Sequence, residues 1–289
     1  MTHPTASELG TITSMWRYPV KSMMGEELSV AQVADRGIVG DRSYAILDHA
    51  DGNIATAKNP RKWPTLFTFQ AKFPEVIDEH DTKSTVHITL PDGTTVTSEL
   101  GDVDQQLSKG LNREVMLVAT EQGTVKGVQS SLPTSWTARS EEYWPDVDGR
   151  DYRDTVTDFT LPAGTFFDAA MVHILTTATL NQLHAGYPDG QFSVSRFRPN
   201  IVIETTEQTE GFVENAWIGH TIAIGESVRL RISGPCARCV MTTLPQGKLP
   251  KDPGILRTAL KLNQGNVGVY ASVLQGGTIR PGDRITRED

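Results

Sequence analysis

"SVRLRISGPCARCVMTT", residues 227–243, decides how this chain is read. Its first seven residues read as a β-strand. The rest carries the only two cysteines of the 289 residues, Cys236 and Cys239, with Arg238 between them. The continuation from Val240 is β-branched and stops at Pro245, so no helix is expected after the pair.

Working outward, the same extended style recurs. Runs rich in β-branched and aromatic residues occupy 11–20, 42–48, 67–73, 86–90, 94–100 and 115–120, then 200–206, 220–225 and 267–274. "PDGT" (91–94) joins two of them as a hairpin turn with Gly93 at positive φ. "GGTIRPGDRI" (276–285) reads as a turn–strand–turn closure. Three helices are predicted. Val103, Leu107 and Leu111 recur every four residues behind Asp102. "TTATLNQLHAG" (176–186) opens on hydroxyls and ends in Gly186. Residues 252–265 have Asp252 as cap, Pro253 at the first helical position and Gly265 as stop. Many short strands with few helices predict a mainly β protein built from barrels or sandwiches.

Residues 121–164 break the pattern. They are polar and turn-rich, and run longer than ordinary loops. Trp136, Tyr143, Trp144 and Tyr152 within them predict a packed insertion or lid rather than a bare linker. Trp136, Tyr143 and Trp144 are expected to wall a substrate pocket. The division between two domains is placed near residue 120.

Lys plus Arg is 27 against 35 Asp plus Glu, a net charge of −8. Such a surface repels nucleic acid and anionic lipid, so neither is expected as a partner. No apolar run is long enough to cross a bilayer, and the first ten residues lack a basic stretch followed by an apolar one. The expectation is no membrane and a reducing, cytoplasmic setting, with no disulfide framework.

Four readings of Cys-Ala-Arg-Cys compete. A structural zinc site needs four ligands, and no histidines form a close pair to complete one. A thioredoxin-like dithiol needs a helix at its first cysteine. Two small core residues is the plain reading. The fourth is one cysteine ligating a metal. In an extended stretch, Cys236, Arg238 and Val240 share one face while Ala237, Cys239 and Met241 share the other. One metal then meets at most one of the sulfurs and must bring its other ligands, as a metal held by the sulfur of an organic cofactor does. A nearby guanidinium would favour the thiolate.

Three basic clusters could hold the anionic part of such a cofactor: Lys21 and Ser22 in "YPVKSMMG" (18–25), Arg42 in "VGDRSYAIL" (39–47), and Arg196, Arg198 and Asn200 in "SRFRPNIVIE" (195–204). The helix start at Thr176 and Thr177 offers free N–H groups. Each has a plain alternative in solvated charge or edge protection, and each matters only if they converge in space.

With these residues on the page, the chain resembles proteins in which a MOSC domain follows a MOSC N-terminal β-barrel domain, a group that includes the mitochondrial amidoxime-reducing component and bacterial relatives. The resemblance rests on "YPVKSMMG", "GDRSYAIL", "FRPNIVI", "CARCVMTT" and "GVYASVLQGGTIRPGDRI" in that order. It implies an N-terminal β-barrel-like domain over 9–120, an insertion over 121–164, and a β-barrel MOSC domain with a few short helices over 165–289. It further implies a molybdenum cofactor, molybdopterin with one phosphate. Cys239 would be the metal ligand and catalytic centre, and Lys21, Ser22, Arg42, Arg198, Asn200 and, at the helix start, Thr176 and Thr177 the cofactor contacts. The implied activity is reduction of N-hydroxylated compounds with electrons from a separate ferredoxin or flavin reductase. The alternative is a cofactor carrier or sulfur-handling protein without turnover. One departure stands beside the metal position: Leu244 precedes Pro245 where the family usually has an acidic residue.

Overall fold

The computed structural model describes residues 7–74, 77, 85–120, 131–132, 136–147, 152–206 and 210–288. Seven strands close on one another in the order Ile201–Thr205, Val172–Thr176, Asn266–Gln275, Val228–Ala237, Thr221–Ile224, Arg284–Glu288 and Ser7–Arg17, which pairs back to Ile201–Thr205. Closure leaves no free edge among them. All neighbours run antiparallel except Val172–Thr176 and Ile201–Thr205. Helix Thr177–Gly186 lies in the connection between those two, as a parallel crossover requires. The interior is aliphatic, with Ile12, Met15, Ile174, Ile203, Leu230 and Val269 at 2% exposure or less. Each such side chain contributes about 2 kcal/mol by leaving water.

The first strand of this barrel comes from the opposite end of the sequence, and Ala31, Val33 and Ile38 also pack into the barrel core. Residues before about 40 therefore serve the C-terminal half. A second core begins with Val20 and Met23 and gathers Tyr44, Phe69, Ile88, Leu107 and Leu117. It lies under Tyr44–Asp48 paired with Val115–Thr120, and under the meander Gln70–Lys72, His87–Thr89 and Thr95–Thr97. The two cores meet along 18–44, and a cavity lies beside that segment.

The extended runs appear largely where the sequence predicts them, and Gly93 turns its hairpin at φ 87°. Val172–Thr176 is a strand to which the sequence pattern assigns nothing. All five of its residues are buried, so it lacks the alternation that marks a half-exposed strand. Asp102 does not cap the helix Val103–Leu111 through its side chain and accepts instead from Gln106 Nε2 at 3.0 Å. The insertion forms a hairpin of Arg139–Trp144 with Thr155–Thr160.

The strand expected over 227–233 runs on to Ala237. Its register to Asn266–Gln275 shifts between Ile232 and Gly234 and again between Pro235 and Ala237. A bulge tolerates Pro235, which has no N–H to give the ladder. The irregular extension carries the cysteines to the end of the barrel that faces the second core.

Candidate functional site

A cavity of about 310 Å³ opens there. Six cationic side chains reach its wall, Lys21, Lys58, Arg42, Arg196, Arg198 and Arg238, against two carboxylates, Glu142 and Asp168. In a chain of net charge −8 this local excess marks a site for an anion.

Six of the residues singled out from sequence line it together: Lys21, Ser22, Arg42, Arg198, Asn200 and Cys239. Three of these hold left-handed backbone, Ser22 at φ 64°, Arg42 at 48° and Arg198 at 52°. Among the described residues only three other non-glycine positions do so. This conformation costs an L-residue about 1 kcal/mol or more, and such costs gather where a binding geometry is enforced. For Arg198 the local cause is legible. A single helical turn, Val194–Phe197, ends on it, its N–H bonding Val194 O at 3.1 Å, and Pro199 forbids continuation.

Asp41 organises this side. Its side chain is fully buried, pairs with Arg42, and accepts from the Tyr18 N–H at 2.7 Å and from Asn200 Nδ2 at 2.8 Å. Asn200 Oδ1 accepts in turn from the His173 N–H at 3.0 Å. Arg42 and Arg198 both lie over the Tyr18 ring, at 4.5 and 4.1 Å, a cation–π arrangement. Arg198 donates to Met23 O at 2.7 Å and, among the described residues, has no carboxylate within ion-pair distance. Burial first, and then the neighbouring Arg42, pull its pKa down to about 10. A buried guanidinium beside a second one, with no carboxylate at ion-pair distance, has room in its electrostatics for an anionic ligand. The Ser22 hydroxyl accepts from the Ala57 N–H at 3.0 Å, which fixes the turn.

At the other end stand the sulfurs. Both cysteines line the cavity, against the expectation that they would occupy opposite faces. The strand ends at Ala237, and Cys239 begins a single 3₁₀ turn, Val240–Thr243, so period-two alternation stops before the second sulfur. The turn where no helix was expected is held to four residues by the run into Pro245. Cys236 is fully buried, whereas Cys239 is half-buried. Burial pushes the Cys239 thiol up to about 11. Lys58, not the expected Arg238, is the chief cation opposing that rise.

Arg238 turns inward. It donates to Val267 O at 2.7 Å and Phe197 O at 3.0 Å and meets His173 Nε2 at 2.6 Å. Burial, then Arg238, holds His173 well below the ordinary histidine range, as a neutral ring. Gly268 makes room for this packing. It sits at φ 79°, and a Cβ there would come within 2.3 Å of His173 Nε2 and 2.4 Å of Ile174 O. Arg196 is likewise spent on structure: its guanidinium donates to Gln191, Thr242, Leu244 and Pro250 carbonyls at 2.8–3.2 Å. It pins the loop after Cys239.

Residues the sequence did not flag complete the wall. Asp168 pairs with Lys21 and, at 3.4 Å, with Lys58. Burial opposes its charge, yet the two lysines hold its carboxyl well below the usual carboxylate range. Burial also opposes the charge of Lys58, but Asp168, the Cys239 sulfur and Glu142 hold it above the ordinary lysine range. Lone charged residues in "TAKNP" and "TFFDAA" carry no pattern, so sequence offered no signal for them.

Thr176 and Thr177 are not among the lining residues. Thr176 caps its helix by accepting from the Thr179 N–H at 3.1 Å and donates to the buried Glu214 at 2.7 Å. Of the three insertion aromatics, Trp144 reaches the cavity. Trp136 packs on a small core with Ala45 and Val118, and the Tyr143 hydroxyl donates outward to Asp154.

The molecule is thus a closed seven-stranded barrel joined to a second β unit, with a cavity of cationic lining and a thiol where the two meet. Residues 162–286 match the MOSC domain and residues 9–129 the MOSC N-terminal β-barrel domain, so the chain belongs to the family that joins these two. It is 26% identical over 242 residues to mitochondrial amidoxime-reducing component 1 of Mus musculus, covering 82% of this chain and 66% of that protein. To mitochondrial amidoxime reducing component 2 of Rattus norvegicus it is 23% identical, covering 97% and 84%. The chain thus spans just under two thirds of the mouse relative. Among solved structures, the YUAD protein of Bacillus subtilis aligns over 96% of this chain and 94% of its own with a TM-score of 0.46 and 11% identity. Among the described residues no helix is long and apolar enough to cross a membrane.

Proposed function

We propose that the chain is a molybdenum-cofactor-dependent reductase of N-hydroxylated compounds, amidoximes and hydroxylamines among them, supplied with electrons by a separate ferredoxin or flavin reductase. The observation that carries this reading is the convergence of Lys21, Arg42 and Arg198 with Cys239 on one cavity. The residues fit a cofactor that brings its own metal ligands. Among the described residues no group of three His, Cys, Asp or Glu could hold an ion alone, whereas one half-buried thiol and an uncompensated buried guanidinium are on offer. Arg42, Arg198, Lys21, Ser22 and Asn200 would hold the phosphate and pterin, and Cys239 would bond the metal. Bound there, the cofactor would supply two-electron oxygen-atom chemistry.

The protein's own residues orient and exclude water. An amidoxime, two electrons and two protons give an amidine and water. Lys58, held charged beside Cys239, stabilises negative charge developing on the departing oxygen. Asp168 keeps that ammonium in place.

The test is reduction of benzamidoxime by cofactor-loaded protein with an artificial electron donor. The expected result is turnover and bound molybdenum that both vanish in Cys239→Ser and persist in Cys236→Ser. Full molybdenum occupancy with no reduction of any N-hydroxylated compound would instead identify a cofactor carrier, and need of both thiols without molybdenum a dithiol redox protein.

A further inference from the structure

The hairpin Arg139–Trp144 sends alternate side chains to the cavity: Glu142 and Trp144 line it, while Tyr143 between them points to Asp154. Of the two carboxylates on the wall, Asp168 is claimed by two lysines. Glu142 is not so engaged. Among the described residues its carboxylate meets one cation, Lys58, through Oε2 at 3.4 Å, beyond a good hydrogen bond. Its side chain is 14% exposed; Oε2 takes the long bond from Lys58, while Oε1 accepts from no described residue and can take a donor from a ligand. It shares the cavity wall with Cys239. Beside it the Trp144 ring is fixed by Nε1 donating to Thr157 Oγ1 at 2.8 Å. The indole offers a rigid apolar plate next to the carboxylate.

We infer that Glu142 is the specificity-determining residue of the cavity, accepting hydrogen bonds from the N–H groups of a planar N–C–N unit and so selecting N-hydroxylated amidines and guanidines over hydroxamic acids. This rests on the reductase reading. An amidoxime turns an N–H of its amino group toward the carboxylate, and an N-hydroxyguanidine, like the product amidine, offers two parallel N–H donors in one plane, the pattern a carboxylate pairs. A hydroxamic acid turns a carbonyl oxygen toward the same place and meets repulsion between acceptors, and a site that leaves a buried polar group unpaired discriminates strongly. The product amidine is a stronger base than the amidoxime, and its cation gains from the same carboxylate.

The experiment has two arms. In the first, calorimetry on the cofactor-loaded protein measures binding of benzamidine and of neutral benzamide. Glu142→Gln should weaken benzamidine at least tenfold and leave benzamide unchanged, and Glu142→Asp should recover part of the loss. In the second, the ratio of kcat/KM for benzamidoxime to that for benzohydroxamic acid should fall at least tenfold in Glu142→Gln. A thermal melt equal to wild type shows that the variant is folded; for a variant that unfolds, Glu142→Asp carries both arms. Failure of wild type to bind benzamidine, or an unchanged affinity and ratio in the folded variants, overturns the inference while leaving the reductase standing. Benzamidine binding that depends on Glu142 in a protein with no turnover would overturn the reductase reading and keep the carboxylate's role as an amidine receptor.

Discussion

The two ends of the cavity are made differently. At the cradle end Arg198, Ser22 and Asn200 are buried and Arg42 is partly so, and the group is stitched to backbone and to Asp41 from both halves of the chain. The opposite wall, Glu142, Trp144 and the half-buried Cys239, is borne on a two-stranded hairpin whose outer residues are exposed and on a loop after a strand end. A rigid, charged and strained end suits one invariable anionic group. The wall residues Glu142 and Trp144 are themselves outside either core. On the proposed reading the contrast assigns cofactor binding to one set of elements and substrate choice to another, joined through residues 54–59, which hydrogen-bond both the hairpin and Ser22.

That separation can be broken by substitution. Arg198→Met removes the guanidinium that lacks a carboxylate partner. Loss of a charge-assisted contact to the phosphate, about 2–3 kcal/mol, should lower cofactor affinity roughly a hundredfold, read as molybdenum retained after dialysis. Trp144→Ala on the other wall should raise KM for aryl amidoximes about tenfold, the scale of one lost apolar or aromatic contact, with molybdenum content unchanged. If Trp144→Ala sheds the metal, the two ends are one unit and the comparison fails.

The smallest expected effect is a pH dependence. His173 is neutral in the folded state because its pKa lies well below 6.5, through burial and Arg238. The unfolded chain takes up that proton first as pH falls. Stability is therefore full above about pH 7 and declines on acidification below the unfolded value. Between pH 7 and 5.5 one such histidine contributes about 1 kcal/mol of loss. Denaturant melts should show that increment in the wild type and lack it in His173→Asn.

Six residues of the cavity wall could be named before any coordinates. Lys21, Ser22, Arg42, Arg198, Asn200 and Cys239 stand out because basic and hydroxyl residues at turns and strand entrances have a reason to be there, and the order of short motifs ties them together. Lys58, Asp168 and Glu142 are charges whose meaning is their mutual distance, which no spacing encodes. Thr176 illustrates the reverse: a helix start rich in hydroxyls is an anion site only if it opens on the cavity, and here its hydroxyl serves the cap and Glu214.

By itself the sequence determined a mainly β chain, three of its helices, the hairpin at Gly93 and the residues able to hold an anion, since each follows from local propensity, turn chemistry and side-chain type. Only the tertiary structure decided that Ser7–Arg17 closes the C-terminal barrel, that both sulfurs face one cavity, and which charges meet there. Those outcomes depend on strand pairing across more than 180 residues and on two bulges that end a side-chain alternation, and long-range closure of that kind is set by the packing of whole sheets rather than by any local run.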